Sequence, residues 1–395
     1  MERAELVQLL SPEGLTLLDS LPRWDSKADV VKTVAELRKQ GHPPALVEAV
    51  LSQSRLRTRA EAKFGEFARR MLFTEAGLEQ ATRLKVAALH AGRFSRAGLR
   101  HVADLGCGIG GDALAFAAVD LEVTAADSDE VTAAIAAFNL TPFPHAHVLH
   151  AEATQVPLGG IDAAWLDPAR RTTAGGTTRR LSDAADYSPP LDFAFGLAER
   201  MPVGVKLGPG TDRDVIPADA EAQWVSVDGD VVELAVWLGA LRRPGVGRAA
   251  LVIRGDSAHE LVAAADSADA PTGPLGDYLY EPDGAVIRAR LIGDLARANG
   301  AWMLSPGIAY LTADTAFDSP FARGFRVVER LPADERQLRQ ALAARGIGTL
   351  EIKKRGVDVD PAALRTRLKL RGEASATLVI TREEGRHVAL LVERL

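Results

Sequence analysis

A single cysteine, Cys107, leaves the chain without any internal disulfide, and such sparing use points to a reducing, cytoplasmic setting. Metal-ligand spacing is missing as well: there is no His-x-x-x-His and no Cys-x-x-Cys pair. His145, His147 and His150 lie close together on a short strand-like run, where they read as ordinary strand residues, so no metal is expected. No stretch approaches the roughly 18–20 consecutive apolar residues of a membrane span, so no membrane partner is expected. The opening Met1-Glu2-Arg3-Ala4-Glu5 lacks the basic-then-apolar order of a secretory signal. Nor is there an excess of positive charge. The net charge is −6, which argues against a wholly basic nucleic-acid binder.

What is present suits a large soluble protein. The 395 residues are 47% apolar and 25% charged, enough for two to four domains with substantial cores. The charge is unevenly spread. Residues 321–395 hold 16 Lys and Arg against 10 Asp and Glu, whereas residues 1–320 hold 31 against 43. A basic C-terminal module on an acidic body hints at a polyanionic partner.

Residues 1–92 read as a small helical domain. Ser11-Pro12-Glu13 has the form of an N-cap with proline at the first helical position. Residues 28–39 and 44–52 repeat helical apolar spacing across the Gly41-His42-Pro43-Pro44 break. Phe64, Phe67 and Met71 stand at helical spacing and are expected in the core. A loop at Leu72-Phe73-Thr74-Glu75 precedes a helix expected over 76–90. From residue 93 to 255 strands and helices alternate. Strands are expected at 100–105, 121–126, 146–150, 161–166 and 202–207, with helices at 111–119, 128–139 and 190–200, the pattern of parallel βαβ units. Residues 222–238 then read as a β-hairpin around Asp228-Gly229. Residues 256–322 are a connector of unassigned packing, with one helix expected over 285–299, and residues 323–395 form a compact α+β unit.

The chemistry gathers at Asp104-Leu105-Gly106-Cys107-Gly108-Ile109-Gly110-Gly111-Asp112, a strand end, a knot of glycines and a helix start. Glycines let the backbone adopt positive φ and approach a ligand closely, and the helix N-terminus offers free N–H groups. Gly106, Gly108 and Gly111 satisfy the dinucleotide spacing, so on glycines alone NAD stays open. Asp104 argues against it, because a carboxylate there repels a pyrophosphate but suits the ammonium of an amino-acid moiety. Asp127, with Ser128 beside it, ends the next strand, where a carboxylate accepts from both ribose hydroxyls. Glu152 follows the third strand, where an adenine edge would lie. This order of acids favours S-adenosylmethionine as cofactor.

The stretch from Val102 to Asp112 resembles motif I of the class I S-adenosylmethionine-dependent methyltransferases. The fold class implied is α/β: a Rossmann-like, seven-stranded sheet with a terminal antiparallel hairpin. Phe73-Thr74-Glu75 and Asp167-Pro168-Ala169-Arg170 resemble the trimethylguanosine synthase branch and related RNA methyltransferases. Glu351-Ile352-Lys353-Lys354-Arg355-Gly356 and Lys369-Leu370-Arg371-Gly372 resemble a THUMP-like domain. The resemblance implies that Gly106, Cys107, Gly108 and Gly110 shape the cofactor loop and that Phe73 and Thr74 close over cofactor or target. It also implies that Asp167 and Pro168 accept hydrogen bonds from an acceptor NH₂, aligning its lone pair on the activated methyl. Ala169 and Arg170 depart from the family's proline and aromatic, and Arg170 can stack or hold a phosphate instead.

The reading is therefore a methyltransferase acting on an RNA base nitrogen. RNA would be held by the C-terminal domain and by the arginine-rich loop from Arg170 to Arg180. Lys206, at a later strand end, is either a solvated lysine or one that reaches substrate. Two alternatives remain: a small-molecule methyltransferase, and a non-catalytic cofactor-binding module that holds RNA or protein.

Overall fold

The computed structural model describes residues 1–22, 27–170 and 187–395. The class is mixed α/β, and the chain divides into two compact units. The first comprises residues 1–207, 212–217 and 237–242, and the second residues 208–211, 218–236 and 243–395.

The first unit opens with helices α1 (Arg3–Leu9), α2 (Pro12–Ser20), α3 (Lys27–Lys39) and α4 (Pro44–Phe64). Ser11 accepts from the Gly14 N–H at 3.0 Å, so the cap foreseen for α2 is in place. Helix α4 continues past Ser52 and stops only at Gly65, whose φ of +55° is a conformation that side chains disfavour. A 3₁₀ turn over Gly65–Arg70 follows and breaks the helical period. Phe64 and Met71 are accordingly buried, whereas Phe67 is 51% exposed and does not join the core as expected.

The helix expected over 76–90 is two helices, α5 (Glu75–Gln80) and α6 (Leu84–Arg96). The break lies at Ala81-Thr82-Arg83. Lys63 holds the end of α5 there by donating to the carbonyls of Leu78, Glu79 and Ala81 at 2.7–2.9 Å.

Next come β1 (His101–Leu105), α7 (Gly111–Ala118), β2 (Glu122–Asp127), α8 (Glu130–Leu140), β3 (Ala146–His150) and β4 (Ala163–Leu166). After them follow two-residue strands β5 (Ala169–Arg170) and β6 (Tyr187–Ser188), helix α9 (Leu191–Gly196) and β7 (Val203–Leu207). Five strands lie in the order β7-β4-β1-β2-β3, and each neighbouring pair is parallel. The chain runs outward from β1 to β2 and β3, then returns on the other side of β1 to lay down β4 and β7. Parallel sheets place their ligand crevice outside the carboxyl ends of the strands, where this order reverses. Leu105 is in register with Ala126 and Leu166, and Leu166 with Val205. The residues next after these registered positions, Gly106, Asp127, Asp167 and Lys206, therefore emerge at one edge.

Two buried amides tie the helical part to this edge. Gln53 on α4 donates to the Phe73 carbonyl at 2.7 Å and accepts from the Phe73 N–H at 3.0 Å. Asn139 on α8 accepts from the Leu72 N–H at 2.8 Å and donates to the carbonyls of Leu72 and Ile109 at 3.1 and 2.9 Å. The segment Leu72-Phe73 is thus fully paired although it belongs to no helix or strand. Replacing either amide by leucine strands a buried backbone donor and acceptor, at about 1–3 kcal/mol per group. Gln53→Leu and Asn139→Leu are each expected to lower stability by about 2–4 kcal/mol, read as a fall in the urea midpoint of unfolding.

The second unit holds β8 (Glu221–Val227) and β9 (Asp230–Leu238) up to Val236, neighbours in the sheet order, around Asp228 and Gly229. Both turn residues have positive φ, +53° and +97°, as a type I′ hairpin turn requires. Strand β10 (Arg248–Arg254) pairs in parallel with β8 and antiparallel with β11 (Ser257–Ala263). The connector is far more structured than its sequence suggested. It carries β11, β12 (Tyr278–Pro282), α10 (Gly284–Arg288), α11 (Ile292–Ala298), β13 (Trp302–Ser305) and β14 (Ile308–Ala313). The single helix expected over 285–299 is therefore two. Strand β15 (Ala322–Leu331), α12 (Glu335–Ala344), β16 (Ile347–Lys354), α13 (Pro361–Leu368), β17 (Ala374–Glu383) and β18 (Arg386–Arg394) complete the unit.

A seven-stranded sheet joins these elements in the order β13-β14-β12-β15-β18-β17-β16. Three connector strands are thus part of the C-terminal sheet, with β12 paired antiparallel to both β14 and β15. One apolar cluster centres on Leu338, Leu342, Leu364 and Leu368 of the two helices with Leu378 of β17. A second gathers Leu279, Tyr310, Phe325 and Leu390.

Candidate functional site

The edge at the carboxyl ends of β1, β2, β4 and β7 holds most of the residues singled out from the sequence. Asp104 is 1% exposed, and neither carboxylate oxygen accepts a hydrogen bond of normal geometry among the described residues, the Ala113 amide exerting only a weak pull. Burial, aided by the charges of Asp112 and Asp167, pushes its carboxyl well above the usual carboxylate range, against the opposing pull of Lys206. A buried acid left this way costs free energy unless a cation or donor meets it, and the described residues supply none of normal geometry.

The loop after Asp104 is built by positive φ: +87° at Gly106, +55° at Gly108 and +84° at Gly110. The Gly106 and Cys107 N–H groups both donate to the Ala126 carbonyl at 2.9 Å, which closes the loop onto β2. A Cβ on Gly108 would meet no atom within 4 Å, so that side of the loop is open. A Cβ on Gly106 would lie 3.4 Å from the Asp167 carbonyl oxygen, so the Gly-rich loop and the Asp-Pro loop run against each other. Burial, then the charges of Asp104 and Asp127, push the Cys107 thiol well above its ordinary range, which disfavours the thiolate.

Asp127 accepts from the Gly108 N–H at 3.0 Å and the Asp129 N–H at 2.9 Å. Burial nevertheless pushes its carboxyl up, because it outweighs those two donors. The two N–H groups fix the direction of the carboxylate, and each oxygen keeps a further lone pair. Ser128 and Glu152 are exposed next to it, Glu152 at the start of the 3₁₀ turn Ala153–Gln155 that follows β3. Thr74 caps α5 by accepting from the Gly77 N–H at 2.9 Å. A Cβ on Gly77 would come within 2.5 Å of Ile109, so α5 is seated directly on the Gly-rich loop.

Asp167 is one-third exposed at the side chain, and its Oδ2 lies 2.5 Å from Lys206 Nζ. Pro168 is buried, and Ala169-Arg170 pairs as β5 with β6. The side chain of Arg170 and residues 171–186, which contain most of the arginine-rich loop, lie outside the described residues.

Lys206 is 8% exposed, so it is not a solvated strand-end lysine. Besides Asp167, its ammonium donates to Thr82 Oγ1 at 3.1 Å and approaches the Gln80 carbonyl at 3.5 Å. Thr82 in turn donates to Asp112 Oδ2 at 2.6 Å, and His90 Nδ1 bonds Asp112 Oδ1 at 2.9 Å. Burial works against ionisation of Asp112, but His90, Lys206 and Thr82 outweigh it and hold its carboxyl below the usual range. The His90 ring packs 4.4 Å from Trp165 and 5.8 Å from Trp237.

Thr82 and His90 were not found by motif, and Asp112, although within the glycine-rich stretch, was given no role. The signal for Asp112 was present: it is the one charged residue in an otherwise apolar helix directly after the glycines. Among the described residues no group of His, Cys, Asp and Glu is placed to hold a metal ion. No helix among them is long and apolar enough to cross a membrane.

Comparison with known proteins extends these observations. The chain is 37% identical over 353 residues to S-adenosylmethionine-dependent methyltransferases, themselves uncharacterized, of Mycobacterium tuberculosis strains CDC 1551 and H37Rv. The match covers 86% of this chain and 92% of theirs. A crystal structure from Porphyromonas gingivalis W83, of a protein assigned as a methyltransferase, superposes with a TM-score of 0.70 at 21% identity. It covers 94% of this chain and all of that one. Residues 322–394 match the family described as THUMP domain-like, and residues 2–60 match a domain of unknown function.

Proposed function

The chain belongs to the S-adenosylmethionine-dependent methyltransferases, and on that premise we propose that it methylates a nitrogen of an RNA base at the edge formed by β1, β2 and β4. The reading rests above all on one contact: the Gly-rich loop at Gly106 lies against the Asp167 carbonyl. The loop that suits the cofactor and the loop that suits an amine acceptor are therefore adjacent. When bound, the cofactor supplies a methyl group already activated by its sulfonium charge.

The residues present fit that cofactor. Asp104 is a buried carboxylate in want of a donor, suited to the ammonium of the methionine moiety. Asp127, aimed by the Gly108 and Asp129 N–H groups, is the acceptor for ribose hydroxyls. Ser128 and Glu152 border the adenine end, and the open side of Gly108 leaves room for the chain of atoms between. Cys107 and Gly110 serve the loop by size and conformation. Thr74 acts through α5, whose seat on Ile109 holds the loop from above.

On the acceptor side, Asp167 and the Pro168 carbonyl accept hydrogen bonds from an N–H acceptor and turn its lone pair toward the cofactor. Displacement on an activated methyl needs alignment more than a strong base. Ala169 leaves no aromatic to stack on the base, a role that would pass to Arg170. RNA is favoured as substrate by the THUMP-like match and by the excess of basic residues after position 321. Domain roles follow the same division: helices of residues 1–92 bracing the site, residues 93–255 performing transfer, and residues 256–322 building one sheet with the RNA-holding residues 323–395. With its single cysteine, the protein is suited to the cytoplasm.

The purified protein and methyl-labelled S-adenosylmethionine should be incubated with a whole extract of cells lacking the protein. Label is expected in the RNA fraction. Label that enters only metabolites would replace RNA by a small-molecule substrate.

A further inference from the structure

The chain of contacts that ends on Asp167 is longer than positioning a turn acid requires. It starts at His90, wedged against Trp165 and Trp237. It runs through Asp112 at the start of α7 and Thr82 in the break between α5 and α6, and reaches Lys206 and then Asp167. Five side chains from separate places in the fold are joined at 2.5–3.1 Å, and four of them are buried. Asp112 follows Gly111 directly, so this chain is anchored in the same helix start that ends the Gly-rich loop. Thr82 is available only because the helix predicted to run unbroken through it is interrupted.

We propose that Lys206 is a positioning residue for methyl transfer: it holds Asp167 ionised and aimed, and Thr82, Asp112 and His90 hold Lys206. The proposal rests on the reading of Asp167 as the acceptor-orienting acid. An anionic Asp167 accepts hydrogen bonds and donates none. It therefore selects substrates that present N–H and disfavours those that present a carbonyl oxygen at the same place. A carboxyl paired with an ammonium is also a weak base, so the proton shed by the methylated nitrogen passes to water rather than being retained on Asp167.

Among the described residues, the carboxyls of Asp167, Asp112 and Asp104 and the ammonium of Lys63 on α4 lie near Lys206 and enter this balance, Asp104 with its carboxyl pushed up by burial. Burial, with Arg83 and Lys206 nearby, draws the Lys63 ammonium down to about 8. Without Lys206, Asp167 would lose an ammonium at 2.5 Å while staying near the Asp104 carboxyl, and its affinity for a proton would rise.

The test uses the full-length protein with Lys206→Met and Thr82→Val, the second keeping the shape of the residue it replaces. The Asp167 side-chain carbon is followed by NMR across pH, assigned by its loss in Asp167→Asn. Lys206→Met is expected to move the Asp167 midpoint up by at least one pH unit, and Thr82→Val to move it less in the same direction. Affinity for S-adenosylmethionine, from calorimetry, should stay within about fivefold of the wild type. The rate of transfer to RNA from cells lacking the protein should fall about 100-fold in Lys206→Met and about tenfold in Thr82→Val. An unchanged Asp167 titration in both variants would overturn the proposal and leave Lys206 a structural residue. If the wild type transferred nothing to RNA, the reading of the substrate would fail, while the titration would still decide the role of Lys206.

Discussion

Replacing Asp167 by alanine is expected to lower methyl transfer by about 10³-fold while leaving S-adenosylmethionine affinity within about threefold. The argument is one of geometry. Asp167 follows β4 with its backbone carbonyl beside Gly106, and on the proposed reading its side chain would address the acceptor rather than the cofactor. Its partner Lys206 and the buried Pro168 limit where the carboxylate can point. Loss of such alignment removes interactions made in the transition state and few made with the bound cofactor, so kcat falls and cofactor binding does not. Single-turnover transfer and calorimetry on the same preparation separate the two. A rate within tenfold of the wild type would reduce Asp167 to a turn acid before proline.

The second large effect concerns Asp104. Asp104→Asn should weaken S-adenosylmethionine binding about 30–100-fold, as expected for losing a charge-assisted hydrogen bond in a buried site. The same change should raise the thermal midpoint of the cofactor-free protein, because it removes a buried carboxylate that accepts no hydrogen bond of normal geometry among the described residues. Lost binding together with gained stability is a signature that a misfolded variant cannot give. The pH dependence follows from the raised carboxyl. A group whose folded value lies above its unfolded value opposes folding once the pH exceeds the unfolded value, and this penalty grows until the pH passes the folded value. Below the folded value Asp104 is neutral and holds an ammonium poorly. Cofactor affinity should therefore fall as pH is lowered through that value, and Asp104→Asn should flatten the dependence. Titrations at several pH values in buffers of different ionisation enthalpy would also reveal the proton released on binding.

How much of this was readable beforehand depends on how local each signal is. The strand into Asp104, the glycine knot and the helix after it are specified within a dozen residues, and each glycine adopts the φ its position demands. The β8–β9 hairpin was legible for the same reason, since Asp-Gly between apolar runs encodes its own turn. By contrast, Lys206 meets Thr82 across 124 residues and Asn139 meets Leu72 across 67, and no spacing rule connects them. Gln53 and Asn139 left a trace as lone amides on apolar helical faces, a pattern that a reading for hydrophobic periodicity passes over. Phe67 was misread because Gly65 ends the helix one residue after Phe64, so the spacing that suggested a common face spans two different geometries. Residues 256–322 were opaque because their strands are short and find partners such as β15 far along the chain.

The most direct test of the account is to identify the methylated atom. RNA from cells lacking the protein should be treated with the purified enzyme and isotope-labelled S-adenosylmethionine, digested to nucleosides and analysed by mass spectrometry. The account expects label on a base nitrogen, present with the wild type and absent with Asp167→Ala. Label on a base carbon or a ribose oxygen, or label undiminished by Asp167→Ala, would contradict it.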